Sequence, residues 1–291
     1  MQVEEMKLPD VSAKREVREL IGRALKEDVG TGDITSIALV SKGVSAEAVV
    51  ISRGRYVVSG TTVARGVFRQ VDGALKCRIE LADGDIVRNG TVIMRVTGKV
   101  RSILTAERTA LNFLQRMTGI ATMTSLFVNE VKPHSVTILD TRKTTPSLRS
   151  LEKYAVLCGG GSNHRMGLYD RVLIKDNHRK IWTTGASRGL AEAVIVARRK
   201  FPGTEIEIEV ESLDDLKSVL NAKPDWILLD NMTPKQMKEC ARACAGRIRL
   251  EASGGITMKN IRAVAATGVD AVSLGCLTHS APAADLSLEL E

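Results

Sequence analysis

Aromatic residues are scarce in this chain of 291 residues: 4 Phe, 3 Tyr and 2 Trp, or 3%. That scarcity excludes the stacking platforms on which single-stranded nucleic acids bind. No apolar run approaches the roughly 18 residues of a membrane span, so the chain is not expected to cross a bilayer. The opening stretch MQVEEMKLPD has neither a basic start nor an apolar core and does not read as a signal peptide. The five cysteines (Cys77, Cys158, Cys240, Cys244, Cys276) contain no CxxC, and Cys240 and Cys244 are spaced to share one helical face with no histidine nearby. They read as reduced packing thiols, the pattern of a cytoplasmic protein. No GxGxxG follows an early strand, which argues against a dinucleotide fold.

Charge and length carry more. The chain has 42 Lys+Arg against 34 Asp+Glu, a formal net charge of +8. Such a balance suits nucleic acid, a membrane surface or small anions. The basic residues are scattered, however, with nothing longer than Arg198, Arg199, Lys200, and no basic helix. A small, highly charged ligand fits best. At roughly 150 residues per domain the length predicts two domains.

Periodicity predicts a helix over 12–27, a loop at DVGTGDITS (28–36), short strands from 45 to about 100 interrupted by a helix over 61–71, and a strong helix over 102–118. DGDIVRNGTVIMRVTG is like half of a lipoyl carrier but lacks the lysine at a hairpin tip, so it reads as structural strand–turn–strand. After 135 the pattern changes. Apolar strands ending in polar residues alternate with helical stretches: VTILD–TRKTT, RVLIK–DNH, IEIEV–ES, DWILLD–N, RLEAS–GG and DAVSLG–C. This predicts a parallel α/β architecture after 135, with the 102–118 helix joining it to a first domain. Barrels carry function at the C-terminal ends of their strands, and the charged residues of this chain fall there.

In EIEIEVE, Glu205, Glu207, Glu209 and Glu211 share one side of a strand that should be nearly apolar. Either that side of the strand is solvated, or its carboxylates are buried and need cations or a metal, and Arg142, Lys143 and Lys175 can supply the positive charge. Arg142 and Lys143 sit together in TRKTTP, a pair suited to carboxylate or phosphate but common on surface loops. His164 and Arg165 follow Gly159–Gly161, read as room for a ligand to approach the backbone. Lys175 and Asp230 close apolar strands; Asp230 suits a metal or a sugar hydroxyl, or a simple turn cap. ASGGI (252–256), expected between a strand and a helix N-terminus, suits phosphate, as does Gly275.

The segments EDVGTGDITS, AERTALNFLQRMTGIAT, DTRKTTPSLRSLEKYAVLCGGGSNHRMGLYDRVLIKDNH, EIEVES, ILLDN, EASGGI and GVDAVSLGCLTHS together resemble the quinolinate phosphoribosyltransferase family. One departure is Ser147, where that family usually has Gly. The resemblance implies an α/β fold in which an N-terminal α/β sandwich domain (1–117) precedes an α/β barrel (118–276) of fewer than eight parallel strands, with the tail, about 277–291, packing back on the first domain. It implies transfer of phosphoribose from phosphoribosyl pyrophosphate to quinolinate, with magnesium, decarboxylation and release of nicotinate mononucleotide for NAD synthesis. It implies Thr141, Arg142, His164, Arg165 and Lys175 around the quinolinate carboxylates, with Lys143 between substrate and sugar. Glu209 and Asp230 would face ribose and magnesium, directly or through water. Ser253, Gly254, Gly255, Leu274, Gly275 and Cys276 would hold phosphate. It further implies a homodimer in which Arg108 is lent to the partner's site, with hexamers in some members. No role is implied for Glu205, Glu207, Glu211 or Cys158. Two rivals stand beside this reading: the related pyrophosphorylase-like protein of molybdenum uptake, expected to lack the lysine of LIKDNH, and a Schiff-base aldolase using Lys175.

Overall fold

The computed structural model describes residues 10–184 and 189–291. Most of the N-terminal stretch weighed above as a signal peptide therefore lies outside the described residues. The chain forms two compact units. One comprises the described residues up to Ser125 with Thr144–Gly160 and Leu277–Glu291; the other comprises Leu126–Lys143 and Gly161–Cys276.

The first unit begins with α1 (Arg15–Val29), α2 (Ile34–Leu39), β1 (Ser45–Ser52), β2 (Tyr56–Val57), α3 (Thr61–Val71), β3 (Lys76–Ile79), β4 (Ile86–Val87) and β5 (Val92–Lys99). The long helix α4 (Val100–Glu130) follows. β6 (Thr137–Leu139), the first strand of the second unit, precedes α5 (Arg149–Cys158), which returns to the first. β7 (Val172–Ile174), α6 (Asp176–Thr183), α7 (Leu190–Lys200), β8 (Ile206–Val210), α8 (Leu213–Val219), β9 (Trp226–Asp230), α9 (Pro234–Cys244), β10 (Arg249–Ser253), α10 (Ile261–Ala265) and β11 (Ala271–Ser273) complete the second. α11 (Cys276–His279) and β12 (Leu286–Leu290) close the chain.

The main sheet of the first unit has the order β12-β1-β5-β3 and is antiparallel throughout. The tail strand β12 pairs along β1 from Ala48↔Leu290 to Ser52↔Leu286, so the last residues of the chain cover the edge of its first strand. Ala48, Val49, Val50, Ile93, Met94 and Val96 fill the interior of this unit. The loop expected over 28–36 is shorter than that: Asp33 accepts the Ser36 amide at 2.9 Å and starts α2. The helix expected over 102–118 runs on to Glu130, because the apolar repeat continues through buried Ile120, Ala121 and Phe127.

The six parallel strands of the second unit are ordered β6-β11-β10-β9-β8-β7. From β7 to β11, strands consecutive in sequence are neighbours, and β11 pairs with β6. β6 and β7, consecutive in sequence, stand at the two ends of this order, and the sheet curls toward closure as a barrel. It stays open between β6 and β7, where Leu139 and Ser162 make an isolated parallel bridge. Register sorts the side chains into layers, because parallel partners share a face. Leu173 pairs with Glu207, Glu207 with Trp226, Trp226 with Arg249, Leu228 with Glu251, and Asp230 with Ser253. The alternate residues Ile206, Ile208, Val210, Ile227, Leu229, Leu250 and Ala252 turn the other way and are buried too. Every residue of β8 is therefore buried, two carboxylates included.

Candidate active site

A cavity of about 390 Å³ opens at the C-terminal ends of the second unit's strands. Its lining includes Thr141, Arg142, Lys143, His164, Arg165 and Lys175, the residues expected around the substrate carboxylates, together with Ser253. Each follows or ends a strand, or sits in the loop that fills the gap of the barrel. The Thr141 hydroxyl accepts the Lys143 amide at 3.0 Å and tightens the turn that presents Arg142 and Lys143. Arg165 is almost fully buried, and its guanidinium donates to the Arg171 carbonyl at 3.0 Å. Burial, aided by the neighbouring charge of Arg142, pulls its pKa below the usual arginine value. An anion in the cavity relieves that strain.

Glu209, in β8, and Asp230, at the end of β9, are not among the residues that line this cavity. The Glu209 carboxylate accepts the Asp176 amide at 3.2 Å and stands 3.8 Å from the Lys175 ammonium. Burial, then the like charge of Asp230, raise its pKa. Two carboxylates side by side are a suitable donor set for a hard divalent cation, which takes oxygen ligands.

The ASGGI turn differs from expectation in one respect. It does not open a helix, since α10 starts only at Ile261. The turn instead consists of Gly254 (φ 87°) and Gly255 (φ 61°), held by the Asn260 amide group donating to the Gly255 carbonyl at 3.0 Å. A Cβ on Gly254 would lie 2.2 Å from Asn231 Oδ1, so only glycine fits. A phosphate at this turn would meet the turn's own backbone amides rather than a helix N-terminus. The Leu274 amide donates to the Leu139 carbonyl at 2.9 Å as an extension of the sheet. Gly275 and Cys276 follow it, with Cys276 starting α11. Gly159 serves packing rather than ligand approach, because a Cβ there would sit 2.4 Å from the Ala121 carbonyl of α4.

Of the four glutamates of EIEIEVE, only two are interior. Glu207 and Glu209 are 0% and 4% exposed. Glu205 and Glu211 flank the strand, with side chains 42% and 58% exposed. Cys158 is buried in the first unit, where Ser59 donates to its sulfur, and burial pushes its thiol up to about 12. That is the state of an inert packing thiol.

Four further residues belong to the site. Glu251, His178 and Ser273 line the cavity, and Arg171 pairs with Glu207 at 3.2 Å beneath it. Glu251 carries the signal already noticed in EIEIEVE, a carboxylate inside an apolar strand, RLEAS. His178, in DNH, accepts the Lys175 amide on Nδ1 at 3.1 Å and fixes the start of α6.

Known proteins carry the same architecture. Residues 33–118 match the N-terminal domain, and residues 120–289 the C-terminal domain, of quinolinate phosphoribosyl transferase. The chain is 40% identical over 279 residues to the nicotinate-nucleotide pyrophosphorylase [carboxylating] of Mycobacterium leprae, covering 94% of this chain and 96% of that one. It is 37% identical over 296 residues to a chloroplastic enzyme of the same name from Arabidopsis thaliana, covering 95% and 83%. The solved nicotinate-nucleotide pyrophosphorylase of Francisella tularensis superposes with a TM-score of 0.90 at 38% identity, covering 98% of both chains. With both domain families matched across nearly its whole length, the chain belongs to the quinolinate phosphoribosyltransferase family.

Proposed function

We propose that the chain transfers phosphoribose from phosphoribosyl pyrophosphate to quinolinate, releasing pyrophosphate, carbon dioxide and nicotinate mononucleotide for NAD synthesis. The observation that carries this reading is the convergence of Arg142, Lys143, Arg165 and Lys175 on one cavity. Quinolinate and phosphoribosyl pyrophosphate are both polyanions, and four cations let them meet by screening their repulsion and fixing their geometry. The planar guanidinium groups of Arg142 and Arg165 suit carboxylates, while Lys143 is a compact charge for the side where sugar and pyrophosphate part.

As the bond to pyrophosphate breaks, positive charge grows on the anomeric carbon, and Glu209 and Asp230 stabilise it electrostatically. The quinolinate nitrogen attacks that carbon and becomes a pyridinium. Its positive charge then stabilises the electron pair left on the neighbouring ring carbon when the adjacent carboxylate departs as carbon dioxide. Glu209 and Asp230 are also the proposed holders of magnesium, directly or through water; when bound, the ion neutralises pyrophosphate and favours its departure. The Ser253–Gly255 turn, with Gly275 and Cys276, is the proposed phosphate cradle. His164 acts by position, since both its ring nitrogens face groups of the protein itself.

A homodimer to which each chain lends Arg108 is proposed as the active unit, with a hexamer as a higher assembly. Exposed Ile34, Ile37 and Leu39 on α2 support a partner-covered face. A cytoplasmic location is proposed from the reduced cysteines; no helix among the described residues is long and apolar enough to cross a membrane. An aldolase would need Lys175 as a free nucleophile, whereas Lys175 stands beside Glu209. The molybdenum-associated relative is disfavoured by the presence of that same lysine.

The test is formation of nicotinate mononucleotide from purified protein, quinolinate, phosphoribosyl pyrophosphate and magnesium. Product is expected only with all components and falls at least a hundredfold in Lys143→Ala. A folded wild-type protein that makes no product refutes the reading.

A further inference from the structure

Beneath the cavity, inside the barrel, His164, Glu207 and Glu251 bring three ligand atoms within 4.8 Å of one another. Their spacing would suit a metal ion, but the hydrogen bonds around His164 exclude it. The Arg165 amide donates to His164 Nδ1 at 2.7 Å, so Nδ1 must present a lone pair. The ring proton then sits on Nε2, which faces Glu207 at 3.1 Å and Glu251 at 3.5 Å. A nitrogen that carries a proton cannot ligate a metal. The cluster therefore holds protons.

The two carboxyl groups are not equivalent. Glu207 receives His164 Nε2 and also the Arg171 guanidinium at 3.2 Å, two donors suited to a carboxylate. Neither oxygen of Glu251 reaches a hydrogen-bond partner in ordinary geometry, and the side chain is 0% exposed. Its own surroundings are Glu207, His164 and the Ser273 hydroxyl, with Arg171 farther below and the cations of the cavity above. Burial, then the charge of Glu207, push its pKa well above the usual carboxylate range, and the Ser273 hydroxyl only partly opposes them. A neutral acid here also spares the incoming dianion a third negative wall.

The proposed reaction needs such an acid. When the carboxylate adjacent to the ring nitrogen leaves, the C–C bond breaks and its electron pair stays on the ring carbon. Nicotinate mononucleotide carries hydrogen there, so one proton must be delivered. Arg142, Lys143, Arg165 and Lys175 are cations placed to bind anions, and His164 Nε2–H is directed at carboxylates. We propose that Glu251, on the floor of the cavity, is the acid that protonates the ring carbon after decarboxylation. Its O–H bond breaks, the new C–H bond forms, and the resulting carboxylate is steadied by His164 Nε2–H until solvent returns a proton on product release. This rests on the reading of the chain as a decarboxylating phosphoribosyltransferase.

The test is Glu251→Gln, which keeps shape and neutrality but cannot donate a carboxylic proton. Pyrophosphate, carbon dioxide and nicotinate mononucleotide are measured separately beside wild type. The expected result is a kcat loss of about a hundredfold or more, the scale of a lost general acid, with KM for quinolinate within threefold. In wild type, kcat is expected to fall with rising pH as Glu251 ionises, and this limb disappears in Glu251→Gln. Infrared difference spectra between the two proteins at neutral pH, which need no turnover, are expected to show the carbonyl band of one protonated carboxylic acid in wild type only. A folded Glu251→Gln protein with kcat within threefold of wild type, or wild type without that band, overturns the assignment of Glu251 and leaves the activity standing. A wild type that releases no carbon dioxide overturns both.

Discussion

Ser147 pays a conformational cost that its side chain does nothing visible to repay. Its φ of 66° lies in the left-handed region, where a Cβ crowds the following carbonyl. Glycine occupies this region freely, so the family's preference for glycine at this position has a backbone cause. Ser147→Gly is expected to raise stability by up to about 1 kcal/mol, the left-handed penalty less the extra chain entropy of glycine. A denaturant midpoint that rises with an unchanged m-value would bear this out; a fall would mean that the serine makes a compensating contact. At this scale most of the site could be read from sequence, because Arg142, Lys143, Lys175 and Asp230 break the apolar grammar at strand ends. What stayed hidden was direction. The His164 ring, for one, turns its nitrogens toward the Arg165 N–H and two glutamates. A backbone amide leaves no trace in the sequence, so the sheet bond of the Leu274 amide could not be foreseen.

Elements were easier to predict where a pattern was strong and harder where a cap decided the boundary. The interval over 61–71 matches α3, whose buried Val63, Ala64, Val67 and Phe68 form one stripe. The 28–36 segment was harder, since its glycines conceal a helix start. Asp33 caps α2 through the Ser36 amide, and Thr105 of α4 donates to its other oxygen at 3.3 Å. The hydrogen bonds from Ser36 hold the Asp33 pKa below its usual 3.8. The folded state thus favours the ionised form. This contribution is present in full above the unfolded-state value and is lost as pH falls through the lower folded value. Water screens so exposed a group, so the pH-linked share is small and the cap itself dominates. Asp33→Ala is expected to cost about 1 kcal/mol and to flatten the acid side of the stability curve slightly. Asp33→Asn should retain most of the cap yet lose the acid dependence. Chemical denaturation of both variants between pH 3 and 7 measures the difference; equal losses in the two would show that charge, rather than capping, is what matters.

At the scale of the whole molecule, the chain order conceals an assembly that only topology reveals. The barrel was predictable from six apolar strands in alternation, but its opening between β6 and β7 was not, because strand order is set by closure rather than by local pattern. Likewise, the first unit recruits Thr144–Gly160 from the midst of the second, and the Arg116 guanidinium joins them by donating to buried Glu152 at 2.8 Å. The proposed dimer is the remaining level, and it makes a prediction that no single-chain reading shares. Suppose each site uses its own Lys143 and the partner's Arg108. Arg108→Ala and Lys143→Ala homodimers then each lack one group in both sites. In a hybrid, the Arg108→Ala chain keeps its Lys143 and receives Arg108 from its partner, so one site is intact while the other lacks both groups. Random exchange makes about half the dimers hybrids, each with one working site of two, so an equal mixture should recover about a quarter of wild-type activity. Activity of the mixture after subunit exchange, read against each variant alone, decides the matter. Recovery to that level requires a shared site. If the mixture stays at the average of the two inactive proteins, Arg108 acts within its own chain and the dimer is not needed to complete the site.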